Sequence, residues 1–343
     1  MTHSLQTIKE NLRGYLQNNL FAGAEVTINE FFQASGGWTD ETYVLSAETN
    51  EQTLGLVIRK LKKGSLLSGE RNLSQQYRLL ELLSNSTSLP VPKVYLLEED
   101  PSIIGGEFMI MERLKGQSYV PWSKEGKAFL FSAATDTGIP KQFTDYLISL
   151  HNLNYKQVGI DTIFEDPGVE YGFIDKKIAE FENLYLKYKI IYDPVMTDAL
   201  EWLKQQRPAA QRLSIIHGDY RTGNMLYGEN QISGILDWEA AEIGDPIMDV
   251  AYICAKANRM DSPLLCYLLD KEWFIEYYAE KTGLIVNKKD LHYFEVLHQV
   301  RFLILSLSAA HAFEKEKSTD LRMGRQGFRW TMMRNILAET LGY

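Results

Sequence analysis

The sequence predicts an α+β fold: an antiparallel sheet lobe at the N-terminus, then a larger and mainly helical lobe. Three observations predict it. An opening helical repeat gives way to short strands rich in branched and aromatic residues. One amphipathic helix interrupts those strands. From Pro246 onward almost every segment carries helical spacing. Strands gathered first and helices after them mark a segregated rather than an alternating architecture.

The elements follow in order. Leu5, Ile8, Leu12, Tyr15, Leu16 and Leu20 recur at helical spacing, which makes an amphipathic helix packed on the outside of the first domain. The period then switches to two. Residues 26–32, 42–47 and 54–60 read as strands, the first pair turned at Gly36-Gly37 and the second at Thr49-Asn50-Glu51-Gln52. Residues 67–83 read as a helix, ended by Ser, Asn and Thr ahead of Pro90-Val91-Pro92. Residues 94–97 and 107–113 follow as strands, with Asp100-Pro101 and Gly105-Gly106 between them. Residues 118–140 read as a variable loop with some helix, 143–153 as helix, 158–171 as irregular, and 173–192 and 194–205 as helices. The domain boundary falls at residues 114–117: residues 1–114 form the sheet lobe and 115–343 the helical lobe. A cleft between two such lobes is a favoured ligand site.

The 343 residues are 45% hydrophobic and 24% charged, an ordinary globular composition. A net charge of -9 argues against non-specific nucleic-acid binding, which needs a basic face. The two cysteines, Cys254 and Cys266, are too few for a disulfide framework and have no metal-ligand company nearby. They read as core residues of a protein in the reducing cytoplasm. The N-terminus lacks a basic-then-apolar leader pattern. The apolar run 302–312 is too short to span a membrane and carries serines, so no membrane partner is expected. The sequence leaves the oligomeric state open.

The most informative stretch is Ile215-Ile216-His217-Gly218-Asp219-Tyr220-Arg221-Thr222-Gly223-Asn224-Met225-Leu226, followed by Gly234-Ile235-Leu236-Asp237-Trp238-Glu239. An apolar run ends in His-Gly-Asp, an Asn stands five residues after that Asp, and a second apolar run delivers another Asp. Phosphoryl transfer from a nucleotide needs this set: one carboxylate to orient a hydroxyl nucleophile, and an Asn and a second carboxylate to hold magnesium. Magnesium takes hard oxygen ligands and keeps several waters, so two side chains plus phosphate oxygens suffice.

At these residues the chain resembles the aminoglycoside phosphotransferase and choline kinase superfamily of small-molecule kinases. The related protein-kinase loop reads His-Arg-Asp with Asn five residues on; Gly218 in place of the Arg looks like the small-molecule branch. The run Asp237-Trp238-Glu239-Ala240-Ala241-Glu242-Ile243-Gly244-Asp245-Pro246 is similar to a subgroup that includes the kinase-like parts of some acyl-CoA dehydrogenase fusion proteins. The resemblance implies a bilobal protein-kinase-like fold. Three strands, a helix and two strands match the kinase N-lobe.

The resemblance also implies roles. Asp219 is the base, Arg221 neutralises the incoming phosphoryl group, and Asn224 and Asp237 hold magnesium. Glu239 reaches a second magnesium or is a surface charge. In the turn Ser35-Gly36-Gly37-Trp38-Thr39-Asp40, residues Gly36, Gly37 and Thr39 lie over the phosphates, where glycine lets the backbone approach closely. Asp40 stands where the family has Asn and is expected to point away or cap the turn. Leu56-Val57-Ile58-Arg59 resembles the strand that ends in a phosphate-binding cation, and alternation puts Arg59 on the face of Val57 and Lys60 on the other. Gln76 stands where a Glu would pair with that cation and could accept a hydrogen bond from Arg59; Glu70 is the alternative. Phe108-Met109-Ile110-Met111-Glu112-Arg113-Leu114 resembles the hinge, with backbone groups of Glu112 and Leu114 facing adenine and Met111 behind it. Backbone reading leaves ATP and GTP unseparated.

Around this set, His217 is expected to hold the loop rather than carry a proton, Asp245 to cap a helix begun by Pro246, and Asp249 to buttress the loop from below. His151, His298 and His311 read as satisfied core histidines. Tyr293, Arg301, Arg329 and Trp330 stand in the late helices that line acceptor pockets in the superfamily. The expected function is ATP- and magnesium-dependent phosphorylation of a hydroxyl on a small molecule. Aminoglycosides, choline-like alcohols and hydroxy-acids or their thioesters are all open as acceptor. The alternative is a nucleotide-binding pseudokinase with a regulatory role, favoured by Gln76 and Asp40 and opposed by intact Asp219, Asn224 and Asp237. A protein kinase is disfavoured by the lack of an activation segment bounded by Asp-Phe-Gly and Ala-Pro-Glu.

Overall fold

The computed structural model of the chain describes residues 4–34, 40–61, 72–136, 138–168, 170–259, 262–315 and 320–343. The chain divides into two compact units, Met1–Lys115 and Gly116–Tyr343.

The first unit is built on a five-stranded sheet of order β1-β2-β3-β5-β4, with every pair antiparallel. Its strands are β1 (Thr27–Gln33), β2 (Asp40–Glu48), β3 (Thr53–Leu61), β4 (Val94–Glu98) and β5 (Phe108–Glu112). Helix α1 (Leu5–Asn19), capped by the Ser4 side chain, presents Ile8, Leu12 and Leu16 to one core with Leu45, Leu56, Ile58, Phe108 and Ile110. Side chains of this kind contribute about 1.5–3 kcal/mol each when fully buried. In β3 burial alternates: Leu56, Ile58 and Lys60 face inward while Val57 and Arg59 lie on the other face. Helix α2 (Leu73–Ser86) is capped by Asn72 and packs on β4 and β5. The expected turn at Gly36-Gly37 and the expected first helical turns at 67–71 lie outside the described residues.

The second unit is mainly helical. It holds α3 (Lys124–Asp136), α4 (Ile139–Asn152), α5 (Tyr155–Val158), α6 (Gly172–Tyr188), α7 (Pro194–Gln206), α8 (Ile247–Cys254), α9 (Lys271–Thr282), α10 (Lys288–Glu314), α11 (Leu321–Gly327) and α12 (Trp330–Leu341). Two small antiparallel pairs stand among them: β6 (Ser214–Ile216) with β9 (Glu242–Gly244), and β7 (Met225–Gly228) with β8 (Gln231–Ile235). Helix α10 packs against α6, α7, α8, α11 and α12. Its length and composition would suffice to cross a membrane, which corrects the expectation of too short an apolar run, but 72% of that window is buried among its neighbours. It is the core helix of this unit.

Residues 118–140, expected to be mostly loop, contain the 13-residue α3. The buried side of this helix is small, Gly126, Leu130 and Ala133 among the described residues, and the exposed Phe131 blurs the helical period. The Ser123 hydroxyl accepts from the Gly126 amide at 2.9 Å and starts the helix.

Candidate active site

Strand β6 ends at Ile216, and the next residues are gripped from α8. Asp249 accepts the His217 amide at 2.7 Å and the Gly218 amide at 2.8 Å. His151 on α4 donates Nε2–H to the same carboxylate at 3.2 Å and accepts from the Tyr278 hydroxyl on α9 at 2.7 Å. Burial pushes the Asp249 carboxyl up, but His151 and the His217 amide hold it below its ordinary value. Asp249 is thus the buttress, and His151 is satisfied on both nitrogens. His217 is fully buried, and burial holds its pKa down, so it stays neutral. Its Nδ1 accepts the Asp219 amide at 3.2 Å and its Nε2 donates to the Leu236 carbonyl at 2.9 Å.

Donors surround the Asp219 carboxylate. Asn224 Nδ2 donates to Oδ2 at 2.7 Å and to the Asp219 main-chain oxygen at 2.9 Å. Arg221 Nε lies 3.2 Å from Oδ1 and 3.4 Å from Oδ2. The Tyr252 hydroxyl on α8 donates to Oδ1. Burial raises the Asp219 pKa, yet Arg221, Arg301, Tyr252 and Asn224 together hold it below the ordinary carboxylate value. Asp219 is therefore ionised, partly exposed and poised to accept a further hydrogen bond.

Asn224 and Asp237 are joined through one main-chain bond. The Leu236 amide donates to the Asn224 carbonyl at 2.8 Å, and the Leu236 carbonyl takes the His217 bond above. Asp237 follows in the left-handed region, φ +67°, uncommon for a residue with a β-carbon and concentrated at functional sites. Its charge helps to raise the Arg221 pKa, after burial, which lowers it, and Asp219, which raises it. Glu239 lies half-buried in the 3₁₀ turn Trp238–Ala240. Since Asn224 spends its Nδ2 on Asp219, its Oδ1 makes no hydrogen bond among the described residues. An amide oxygen and a carboxylate are hard donors of the kind magnesium takes beside phosphate oxygens, so this pair fits the ion.

Within the first unit, Arg59 donates to Asp40 at 2.7 Å. The turn that Asp40 was expected to cap lies outside the described residues. Asp40 is buried, and a buried carboxylate needs a partner, which the cation on the same side of the neighbouring strand supplies. Gln76 does not serve Arg59: it sits on the buried side of α2, and its Oε1 has no hydrogen-bond partner among the described residues. Lys60, on the inner face, pairs with Glu41 at 2.7 Å. Met111 is buried in β5; the Glu112 amide donates to the Lys93 carbonyl at 2.8 Å, and the Leu114 amide makes no main-chain bond among the described residues. Gly36, Gly37, Thr39 and Glu70 lie outside the described residues.

Tyr252 was invisible to the sequence reading because it stands in an apolar helical run. Arg301, one of four candidates there, donates to the Gly218 carbonyl at 2.6 Å and holds the loop. Trp122 lies 5.5 Å from the Arg221 guanidinium in a cation–π contact. Tyr293 is a core residue, its hydroxyl donating to the Leu203 carbonyl at 3.0 Å. His298 is only half satisfied: Nε2 reaches the Met248 carbonyl at 2.9 Å, but buried Nδ1 has no partner among the described residues. Asp245 accepts the Ile247 amide at 2.9 Å and so caps the helix, with Pro246 at its start in helical dihedrals.

Comparison with known proteins agrees with this geometry. The profile of the phosphotransferase enzyme family matches residues 31–277. Mouse acyl-CoA dehydrogenase family member 10 is 28% identical over 227 residues, which cover 66% of this chain and 20% of that protein. Against the acyl-CoA dehydrogenase relatives the chain thus spans between 20% and 30% of their length. A provisionally named aminoglycoside phosphotransferase from Ralstonia eutropha has the same fold, with a TM-score of 0.69 at 21% identity and 97% of both chains covered. A variant of aminoglycoside phosphotransferase APH(4)-Ia, in ternary complex with AMP-PNP and hygromycin B, gives 0.62 at 15% identity, covering 97% of this chain and 99% of that one.

Proposed function

The chain belongs to the phosphotransferase enzyme family, and on that premise we propose that it transfers the γ-phosphoryl group of ATP to a hydroxyl of a small molecule, with magnesium as the ion. The observation that carries the reading is the pairing of Asn224 with Asp219 at 2.7 Å on a loop bonded through Leu236 to Asp237. Magnesium, when bound, neutralises charge on the phosphate oxygens. Asn224 Oδ1 and the Asp237 carboxylate would hold it, with Glu239 as a further oxygen donor. Asp219 orients the acceptor hydroxyl and takes its proton as the new P–O bond forms and the bond to ADP breaks. Arg221 meets the charge that spreads over the transferring group; its guanidinium need only turn from Asp219 toward the phosphate. No covalent enzyme intermediate is needed.

Several further features support the reading. APH(4)-Ia holds a nucleotide analogue and a hydroxyl-bearing small molecule, which favours the same two classes of ligand for this chain. The same reading assigns Arg59 as the phosphate-binding cation, Gly36, Gly37 and Thr39 to the phosphate loop, and Met111, Glu112 and Leu114 to the adenine hinge. The two free cysteines suit a cytoplasmic setting. The test is release of ADP, with mass spectrometry of the product, over a panel of aminoglycosides, choline-like alcohols, hydroxy-acids and their thioesters. A phosphorylated product is expected from one class, and its loss on removing magnesium.

A second reading is a nucleotide-binding regulatory module. The Arg59–Asp40 pair favours it, since a carboxylate competes with phosphate for the cation. ATP binding without transfer to any acceptor on the panel would select that reading instead.

A further inference from the structure

Helix α8 grips the loop at two points one turn apart. Asp249 and Tyr252 are three residues apart and so share a face. The first takes the His217 and Gly218 amides; the second reaches the Asp219 carboxylate itself. The Tyr252 ring is buried against α10, with His298 at 4.9 Å and Phe302 at 6.0 Å between ring centroids, so packing fixes the direction of its hydroxyl.

An aspartate carboxylate turns about a soft terminal torsion. Here two donors from different elements pin it, Tyr252 on Oδ1 and Asn224 on Oδ2. Arg221 Nε sits between the oxygens at 3.2 Å and 3.4 Å and is the weaker contact. A carboxylate can receive about four donors; Tyr252 and Asn224 take one position on each oxygen, and once Arg221, which lies between the oxygens, turns to the phosphate, the remaining lone pair on each is left in a fixed direction.

We propose that Tyr252 is a positioning residue for phosphoryl transfer: its hydroxyl holds the Asp219 carboxylate in the rotation from which a free lone pair receives the acceptor proton. The proposal rests on the phosphotransferase reading above. In the step itself the acceptor O–H proton passes to Asp219, the acceptor oxygen bonds to phosphorus, and ADP leaves; Tyr252 keeps its own proton throughout. Burial, and then the Asp219 charge, lift the phenol well above its ordinary pKa, so it stays a donor.

Tyr252→Phe keeps the buried ring and deletes only the donor. With the acceptor in hand, kcat is expected to fall about 10–100-fold, the scale of a misplaced catalytic group, while KM for ATP stays within about twofold. In an Asp219→Ala background the same substitution should change the rate by less than about twofold, because the two residues act as one unit. A merely structural tyrosine would instead lower both backgrounds alike. An unchanged kcat in Tyr252→Phe, or an undiminished loss in the Asp219→Ala background, overturns the proposal and leaves the phosphotransferase reading standing. A wild type that transfers to no acceptor removes both. Should Tyr252→Phe fail to fold, ring-labelled tyrosine in wild type and Asp219→Ala decides by NMR: the Tyr252 Cζ resonance should move when the carboxylate is gone, and a fixed resonance overturns the contact.

Discussion

Gly218 lies so close to Ala240 that a β-carbon at residue 218 would stand 2.4 Å from the Ala240 carbonyl oxygen. Its φ of +75° is also in the left-handed region that glycine enters without cost. Ala240 ends the 3₁₀ turn that follows Asp237. The contact therefore sets the Asp219 loop against the Asp237 turn, which is a physical reason for glycine in the His-Gly-Asp sequence.

Gly218→Ala should accordingly destabilise the protein by about 2–4 kcal/mol, combining left-handed strain with overpacking against backbone. Urea unfolding of the two proteins measures it. A loss under about 1 kcal/mol would mean that the Ala240 turn yields and that the two loops are not rigidly set.

Nucleotide binding is expected to depend on the metal pair. Saturating Mg-ATP stabilises the protein that binds it, by about 2.7 kcal/mol at a ligand concentration of 100 Kd. The Tm rise should appear in wild type and shrink sharply in Asp237→Ala, because that carboxylate bridges the ion to the phosphates. If Asp237→Ala keeps the full magnesium-dependent rise, Asp237 is not the ligand.

His298 gives a pH prediction. Burial pushes its pKa down to about 4, below the unfolded value of 6.5. As pH falls from 6.5 toward 4 the unfolded chain takes up a proton that the folded one refuses, so this contribution to stability is present above pH 6.5 and lost on acidification. The loss totals on the order of 3 kcal/mol. Asp245, raised by burial to about 7, works in the opposite sense, losing stability as pH rises from 3.8 toward 7. The clean measurement is the difference between wild type and His298→Gln, in which Asp245 cancels. His298→Gln should cost more at pH 7.5 than at pH 4, and a pH-independent cost would show that His298 titrates normally.

The fold was legible where burial imposes a period. In β2 and β3 burial alternates because one face meets the core under α1, and α6 and α7 each bury a side. The fold was illegible in α3, whose buried side among the described residues is a glycine, a leucine and an alanine, Gly126, Leu130 and Ala133. At the site, Asp219, Asn224 and Asp237 stand out because polar residues interrupt apolar runs at fixed spacing. Tyr252 gave no such signal: in an apolar helix a tyrosine looks like core, and here it is core with one polar end. The partner of Asp40 was hidden for a related reason. The Asp40 charge was weighed against an absent phosphate, whereas the folded chain sets it beside Arg59. Pair contacts across strands depend on register, and register is not written in either strand alone.

The chemistry turns on Asp219. Asp219→Asn keeps the size of the side chain and removes the charge that accepts the acceptor proton. Three donors now converge on that carboxylate, from Tyr252, Asn224 and Arg221; an amide at the same place would turn its own donor toward one of them. General-base contributions are typically about 10²–10⁴-fold in rate. Because the transition state of phosphoryl transfer is loose, the nucleophile needs little deprotonation early, which puts the expected loss toward the low end of that span. ATP affinity should stay near the wild-type value, since the metal pair Asn224 and Asp237 keeps its own oxygens. Turnover of the identified acceptor and ATP binding by calorimetry separate the two effects. Equal turnover in wild type and Asp219→Asn would remove Asp219 from the mechanism, whereas a loss of ATP binding together with turnover would place it with the metal ligands rather than with the acceptor.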